Sequence, residues 1–83
     1  MKRRNLLQRL LSGSRNVRFS DATACIEAFG FSLARVSGSH HIFVHPDVPE
    51  LVNLQEVDGK AKPHQIKQFL QIVEQYDLQL EDE

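Results

Sequence analysis

The spacing of apolar residues predicts two helices in the first third of the chain. A short amphipathic helix is predicted by leucines at helical spacing, Leu6, Leu7, Leu10 and Leu11. Gly13 is expected to end this helix. Ser20 is then expected to cap a second helix, which Gly30 ends. The apolar residues of the second helix fall at i, i+3, i+4 and i+7 and form one face: Ala22, Cys25, Ile26 and Phe29.

From Phe31 onward the apolar spacing changes to two, which is typical of strands. Gly38 suits a tight turn, and the alternation resumes over residues 40–46, so the pattern predicts a hairpin. A second turn rich in proline precedes a third strand over residues 51–57. The register of the second strand stays open, because Ile42 and Val44 favour one face and Phe43 the other. If Ile42 and Val44 face the helices, His41 points away from them.

The last part of the chain returns to helical spacing. Pro63 suits a first helical turn, and one apolar face follows it: Ile66, Phe69, Leu70 and Val73. The predicted order is helix, helix, strand, strand, strand, helix. The short links favour antiparallel pairing, so we expect an α+β fold with a three-stranded antiparallel sheet and helices on one face. We expect one domain over residues 1–83, with an N-terminal helical extension (1–19), a core (20–78) and an acidic tail (79–83).

Charge is distributed unevenly along the 83 residues, although the net charge is only -1. Six basic residues precede the first acid, Asp21, and the chain closes on four acids from Asp77 onward. This pattern allows a basic leader that contacts a partner, or two ordinary solvated ends. The single cysteine cannot form an internal disulfide, and the sequence contains no long apolar run. We therefore expect a cytoplasmic protein with no membrane partner.

Candidate chemistry centres on four histidines, His40, His41, His45 and His64. A shared metal is disfavoured, because a strand would separate His41 from His45 by ~13 Å. A serine nucleophile is also disfavoured, because Ser39 lacks the Gly-x-Ser-x-Gly elbow and an orienting acid. We predict no metal and no cofactor.

Acid-base catalysis by histidine on RNA fits these residues better, because imidazole exchanges protons near neutral pH and the 2′-hydroxyl of RNA is an internal nucleophile. Several groups could bind the substrate phosphates, namely the turn main chain, the start of the last helix and nearby lysines. The predicted substrate-binding residues are Gly38, Ser39, His40, Lys60, Lys62, His64 and Lys67. The alternative is that these histidines are ordinary strand residues and the lysines face water.

One stretch, "GFSLARVSGSHHIFVHPD", resembles the HicA family of bacterial toxin-antitoxin systems. The resemblance lies in a Gly-Phe pair, a Gly-Ser-x-His turn and a strand reading His-x-Phe-x-His-Pro, and it extends from Ala22 to about Tyr76. It implies a fold similar to a double-stranded-RNA-binding domain and an endonuclease activity on RNA, messenger RNA in particular, without a metal. The last residue of Gly-Ser-x-His is His41, which the resemblance implies is catalytic. It also implies a HicB-type antitoxin that inhibits the toxin by covering it.

Two departures from the family pattern leave a second interpretation open. The Val-Pro-x-His segment of many family members and their Gly-Thr pair before the last helix are missing from residues 51–70. Residues 1–19 are additional, and they could contact RNA, dock a partner or extend a small core. The alternative to an endonuclease is therefore a non-catalytic or degenerate module that binds RNA or protein on the same scaffold.

Overall fold

The computed structural model describes residues 7–8, 10–11 and 16–81. Within them the chain forms helix α1 (Phe19–Ala28), strands β1 (Ser32–Ser37), β2 (His40–His45), β3 (Val48–Val57) and β4 (Lys60–Ala61), and helix α2 (Pro63–Gln75). The four strands form one sheet in the order β1-β2-β3-β4, and every neighbouring pair is antiparallel. The α+β class and the antiparallel sheet are confirmed.

The predicted count of three strands is wrong. The order of these elements is α-β-β-β-β-α rather than α-α-β-β-β-α. The predicted first helix lies mostly outside the described residues, although residues 7, 8, 10 and 11 are helical.

The unpredicted fourth strand depends on the turn that follows β3. Asp58 and Gly59 have φ angles of 53° and 77°, which is the type I′ geometry that joins two antiparallel strands with a two-residue loop. Lys60 and Ala61 can therefore fold back and pair with Val57 and Glu56. The sequence pattern did not predict this strand, because two residues are too few to show an alternation and a helical pattern follows directly from Pro63.

The connector before α1 extends the sheet beyond β4. Arg18 forms an isolated antiparallel β-bridge with Lys60. The Ala61 N–H donates to the Val17 carbonyl over 3.1 Å. The Phe19 N–H donates to the Gly59 carbonyl over 2.9 Å. The side chain of Val17 is 1% exposed. Of the three roles considered for residues 1–19, added packing is the one that Val17 and the equally buried Leu10 support.

The register of β2 gives the sheet two distinct faces. Phe43 pairs with Val52, and both side chains are buried against the helices, on what we call the inner face. His41 and His45 alternate with Phe43 and share the inner face. Ile42 and Val44 therefore lie on the outer face, which no described helix covers. The alternative that placed Ile42 and Val44 against the helices is wrong, because the larger aromatic ring of Phe43 fills the core.

The two helices cover the inner face and enclose one core. The helix α1 begins at Phe19 with Arg18 as its N-cap, so the prediction that Ser20 caps it is wrong. Gly30 follows the helix with a φ of 95°, and Pro63 begins α2 as predicted. The core joins buried residues of both helices and the sheet, including Ala22, Cys25, Ile26, Phe29, Phe43, Leu54, Ile66 and Phe69.

The residues after α2 fold back onto α1. Asp77 adopts a φ of 51°, and the Leu78 N–H donates to the Val73 carbonyl. Further on, the Glu81 N–H donates to the Ala28 carbonyl over 2.8 Å, which satisfies a group that a helix C-terminus leaves without an intrahelical partner. Within the described residues, no helix is long and apolar enough to cross a membrane.

Candidate functional site

His41 lies near the start of β2, directly after the turn that joins β1 to β2. Gly38 has a φ of 59° and Ser39 does not have a positive φ, so the two-residue loop matches a type II′ turn. On the sheet, His41 lies between Val36 of β1 and Leu54 of β3. Its side chain is half-buried. The turn therefore presents His41 at the rim of the inner face, where the core ends.

A main-chain contact determines which nitrogen of His41 can accept a proton. The Nδ1 atom lies 3.3 Å from the Ser39 carbonyl oxygen. A carbonyl can only accept, so this hydrogen bond requires the proton on Nδ1. The neutral ring then carries its lone pair on Nε2. In the neutral ring Nε2 is therefore the nitrogen that can accept a proton, with the tautomer assigned from the hydrogen-bond partner of Nδ1.

Phe19 forms the other side of the His41 environment. Its ring meets the imidazole edge-on, with 4.6 Å between the ring centroids and an interplanar angle of 63°. The Phe19 main chain is held by the Gly59 carbonyl, so the start of α1 and the β3–β4 turn together set the position of the ring. Sequence analysis missed this residue, because Phe19 precedes the predicted start of the second helix, where no periodicity marks it.

The other predicted residues of the turn lie around His41 without sharing its environment. Gly38 is exposed, and a Cβ added to it would meet nothing within 4 Å. His40 projects to the outer face, where its Nδ1 lies 3.2 Å from the amide oxygen of Asn53. The adjacent histidines therefore point to opposite sides of the sheet, and only His41 faces the helices.

The predicted lysines and His64 do not converge on His41. Lys60 donates to the side-chain oxygen of Asn16 over 3.2 Å. Lys62 is the half-buried N-cap of α2. His64 and Lys67 are exposed on the solvent side of α2, opposite the buried Ile66 and Phe69. Within the described residues, none of these four side chains forms a hydrogen bond with His41.

His45, at the other end of β2, has a different environment. Its ring packs edge-on against Phe31 with 5.0 Å between centroids. Its Nδ1 accepts a hydrogen bond from the Asp47 N–H over 3.0 Å, so in the neutral ring the proton is on Nε2. A Cβ added to Gly30 would lie 3.0 Å from that Nε2. The proton-bearing nitrogen of His45 is therefore directed into packed structure.

Two other kinds of chemistry have little support among the described residues. Burial raises the pKa of the Cys25 thiol to about 12, so the thiol is protonated at neutral pH and is a poor nucleophile. The described residues contain no group of three or more His, Cys, Asp or Glu side chains placed to hold a metal ion. His41 and His45 are both half-buried, oriented imidazoles, and the two differ in the nitrogen that carries the proton.

The fold and this site define a small α+β protein that presents a histidine from a hairpin turn. The family model of the HicA toxin of bacterial toxin-antitoxin systems matches residues 19–75. Because this match covers more than half of the chain, the protein belongs to the HicA toxin family, and the resemblance noted in the sequence is confirmed. No curated protein and no solved structure matches the chain.

Proposed function

We propose that this protein is a toxin that cleaves RNA, with His41 as the group that removes the proton from the 2′-hydroxyl. Membership of the HicA toxin family supports the toxin role. The observation that carries the chemistry is the contact between His41 Nδ1 and the Ser39 carbonyl. It leaves Nε2 as the proton-accepting atom, which is the arrangement that a general base requires.

The proposed reaction needs one proton acceptor and a substrate that carries its own nucleophile. Nε2 of His41 takes the proton of a 2′-hydroxyl while that oxygen forms a bond to the adjacent phosphorus. The bond from phosphorus to the 5′-oxygen breaks, and the leaving oxygen takes a proton from water. The hydroxide so formed then takes the proton from His41, which regenerates the neutral ring. The products are a 2′,3′-cyclic phosphate and a free 5′-hydroxyl. No cofactor enters this balance, and we propose that the reaction needs no metal.

The surroundings of His41 supply the remaining roles. The turn of exposed Gly38 and half-buried Ser39 leaves room for a phosphate close to the imidazole. Phe19 packs against the imidazole and shields part of it from water. We assign Lys60, Lys62, His64 and Lys67, together with His40, to contacts with other nucleotides of the substrate, because within the described residues none of them forms a hydrogen bond with His41.

The proposed partner is a HicB-type antitoxin, in keeping with the toxin family to which the chain belongs. An inhibitor of this reaction needs to block access to a single half-exposed imidazole on an open turn. A protein that covers residues 37–41 would achieve this without altering the fold. We therefore expect the antitoxin and RNA to compete for the hairpin turn.

The decisive experiment uses the full-length protein, a short 5′-labelled RNA and a chelator in the buffer. We expect cleavage that yields a 2′,3′-cyclic phosphate, and no cleavage of the same oligonucleotide when a 2′-deoxynucleotide replaces the one at the cleaved position. The His41→Ala variant should bind the RNA and leave it intact. Cleavage of the 2′-deoxy substrate, or a dependence on divalent metal, would contradict the proposed mechanism.

The second candidate is a module that binds RNA or protein without cleaving it. The absence of a hydrogen bond between His41 and any of the predicted cations in the described residues favours it, since phosphate stabilisation is then weaker. The same experiment separates the two candidates. Binding of RNA by the unaltered protein with no cleavage product would establish the module.

A further inference from the structure

The strand β3 has an edge that the described strands leave unpaired over much of its length. The strand runs from Val48 to Val57, but β4 pairs with only Glu56 and Val57 on that side. The unpaired edge therefore begins at Gln55 and runs back toward Val48. Unpaired main-chain donors and acceptors in a row are a template for another extended chain.

The hydrogen bonds of β3 show which of its groups face this edge. The Glu56 N–H donates to Ser39 on the β2 side, whereas the Gln55 N–H points the other way and donates to the side chain of Gln65 over 2.6 Å. Main-chain groups alternate along a strand, so those of Asn53 face the same edge as those of Gln55. The Gln65 carboxamide thus already accepts the hydrogen bond that a carbonyl of a neighbouring strand would accept from Gln55.

A groove accompanies this edge. It is a cavity of about 270 Å³ between β3 and α2, and the argument concerns six of its lining residues: Leu51, Asn53, Gln65, Gln68, Gln71 and Gln75. We call it the glutamine groove. The carboxamides of Gln68, Gln71 and Gln75 are exposed and both donate and accept hydrogen bonds, so they can satisfy the N–H and carbonyl groups of a bound main chain. Leu51 is 58% exposed and offers an apolar contact beside them.

The charge of the groove distinguishes a peptide from a nucleic acid. Glu50 is the one charged side chain among the described residues that line it, and it is held by a hydrogen bond from the Tyr76 hydroxyl. A carboxylate repels phosphate, and nucleic-acid binding depends on clustered cations. The same carboxylate is complementary to a lysine or arginine of a peptide.

The opposite edge of the sheet is less suited to such a role. All residues of β1 are exposed, and the register with β2 shifts between Leu33 and Arg35. A bulge of this kind twists an edge and interrupts pairing. No described helix supplies side-chain donors or acceptors there.

We propose that the glutamine groove binds an extended, uncharged or cationic peptide segment of a partner protein, which adds to the open edge of β3 as a strand. The main chain supplies the hydrogen bonds and the glutamines of α2 hold the far side of the segment. This role is independent of RNA cleavage by His41.

The test uses the ¹⁵N-labelled full-length protein and a synthetic peptide, acetyl-Lys-Thr-Val-Thr-Val-Lys-amide. We expect it to shift the amide resonances of Leu51 and Asn53 and to slow their hydrogen exchange by about tenfold at saturation. The same peptide N-methylated at its four central residues cannot donate to a strand and should produce neither effect. Perturbation of β1 instead, or of no residue, would overturn the proposal.

Two variants localise the binding on the same helix and strand. Gln68→Lys adds a charge inside the groove and should weaken the cationic peptide about threefold, whereas Glu74→Lys on the solvent side of α2 should not. Asn53→Pro removes an N–H from the edge and should weaken binding about tenfold. Should Asn53→Pro not fold, the N-methylated peptide and the Gln68→Lys and Glu74→Lys pair still decide the question.

Two competing occupants have their own readouts. A uridine hexanucleotide that perturbs Leu51 and Asn53 more strongly than the peptide would assign the groove to RNA and overturn the proposal. Concentration-dependent broadening of the same resonances without peptide would mean that a second copy of the chain occupies the edge, which also contradicts it.

Discussion

His41 and His45 lie on the same face of the same strand, and each meets a phenylalanine ring edge-on. They differ in the partner of Nδ1, which is a carbonyl for His41 and an N–H for His45. A neutral His41 therefore accepts a proton at Nε2, whereas a neutral His45 already carries one there. Two residues of one type on one strand can thus have different chemistry, because the local main chain assigns the proton.

The largest expected effect comes from removing each histidine in turn. His41→Ala should lower the rate of RNA cleavage by at least about a hundredfold, the contribution of a positioned general base. His45→Ala should change that rate by less than about twofold and instead lower the free energy of unfolding by about 1 kcal/mol, through loss of the Phe31 contact. Single-turnover cleavage and urea unfolding measure the two quantities, and equal losses of activity would refute the distinction.

The next effect separates the turn before His41 from the turn after β3. Gly38 and Gly59 both have positive φ, and a Cβ on either meets nothing within 4 Å. Gly38→Ala and Gly59→Ala should each lower Tm by roughly 5–15 °C, because only backbone strain is added.

Gly38→Ala should also reduce cleavage, by about tenfold or more, since it displaces the residues that lead into His41. Gly59→Ala acts on His41 only through the Phe19 main chain, so it should reduce cleavage by less, about twofold. Cleavage is compared well below both Tm values. If the two variants lose activity equally, the turn does not position His41.

A smaller effect distinguishes the two phenylalanines. Phe19→Leu keeps the apolar contact but removes the ring, so the imidazole proton resonances of His41 should move and cleavage should fall about two- to tenfold. Phe31→Leu should move those of His45 and leave cleavage unchanged at a temperature where the variant is folded. Proton NMR and cleavage assays give both readouts, and a Phe19→Leu variant with unaltered His41 resonances would contradict the contact.

The smallest expected difference is which nitrogen of each imidazole carries the proton. At a pH where both rings are neutral, ¹⁵N chemical shifts should show His41 protonated on Nδ1 and His45 protonated on Nε2, as their hydrogen bonds require. The His45 spectrum serves as the internal reference. A His41 ring protonated on Nε2 would remove the basis for its role as the proton acceptor.

The sequence predicted most of the elements and the antiparallel pairing of three strands, but neither the fourth strand nor the start of α1. The hairpin around the Gly38 turn and the helix that begins at Pro63 depend on local preferences, and both are confirmed. The fourth strand was missed because two residues carry no periodic signal. The predicted start of α1 is too late in the chain, because Ser20 is a common N-cap residue. The main-chain hydrogen bond from Phe19 to the β3–β4 turn instead starts the helix at Phe19.

The candidate site was only partly accessible from the sequence. The Gly-Ser-x-His turn predicts His41 as the catalytic residue, and this turn lies within residues 19–75, which the family model matches. The proposed contribution of Phe19 could not be found this way, because 22 positions separate it from His41 along the chain. The predicted substrate-binding lysines lie close together in the sequence. Helical geometry, however, directs Lys67 and His64 to the solvent side of α2.

By itself the sequence determined the family, the α+β class and the turn that carries His41, since these depend on motifs and spacings within a few residues of one another. The tertiary structure decided the face of the sheet on which His41 lies, the nitrogen that can accept a proton and the phenylalanine that meets its ring. A shift of one residue in strand register exchanges the two faces of the sheet, and packing of Phe43 into the core selects between the two registers.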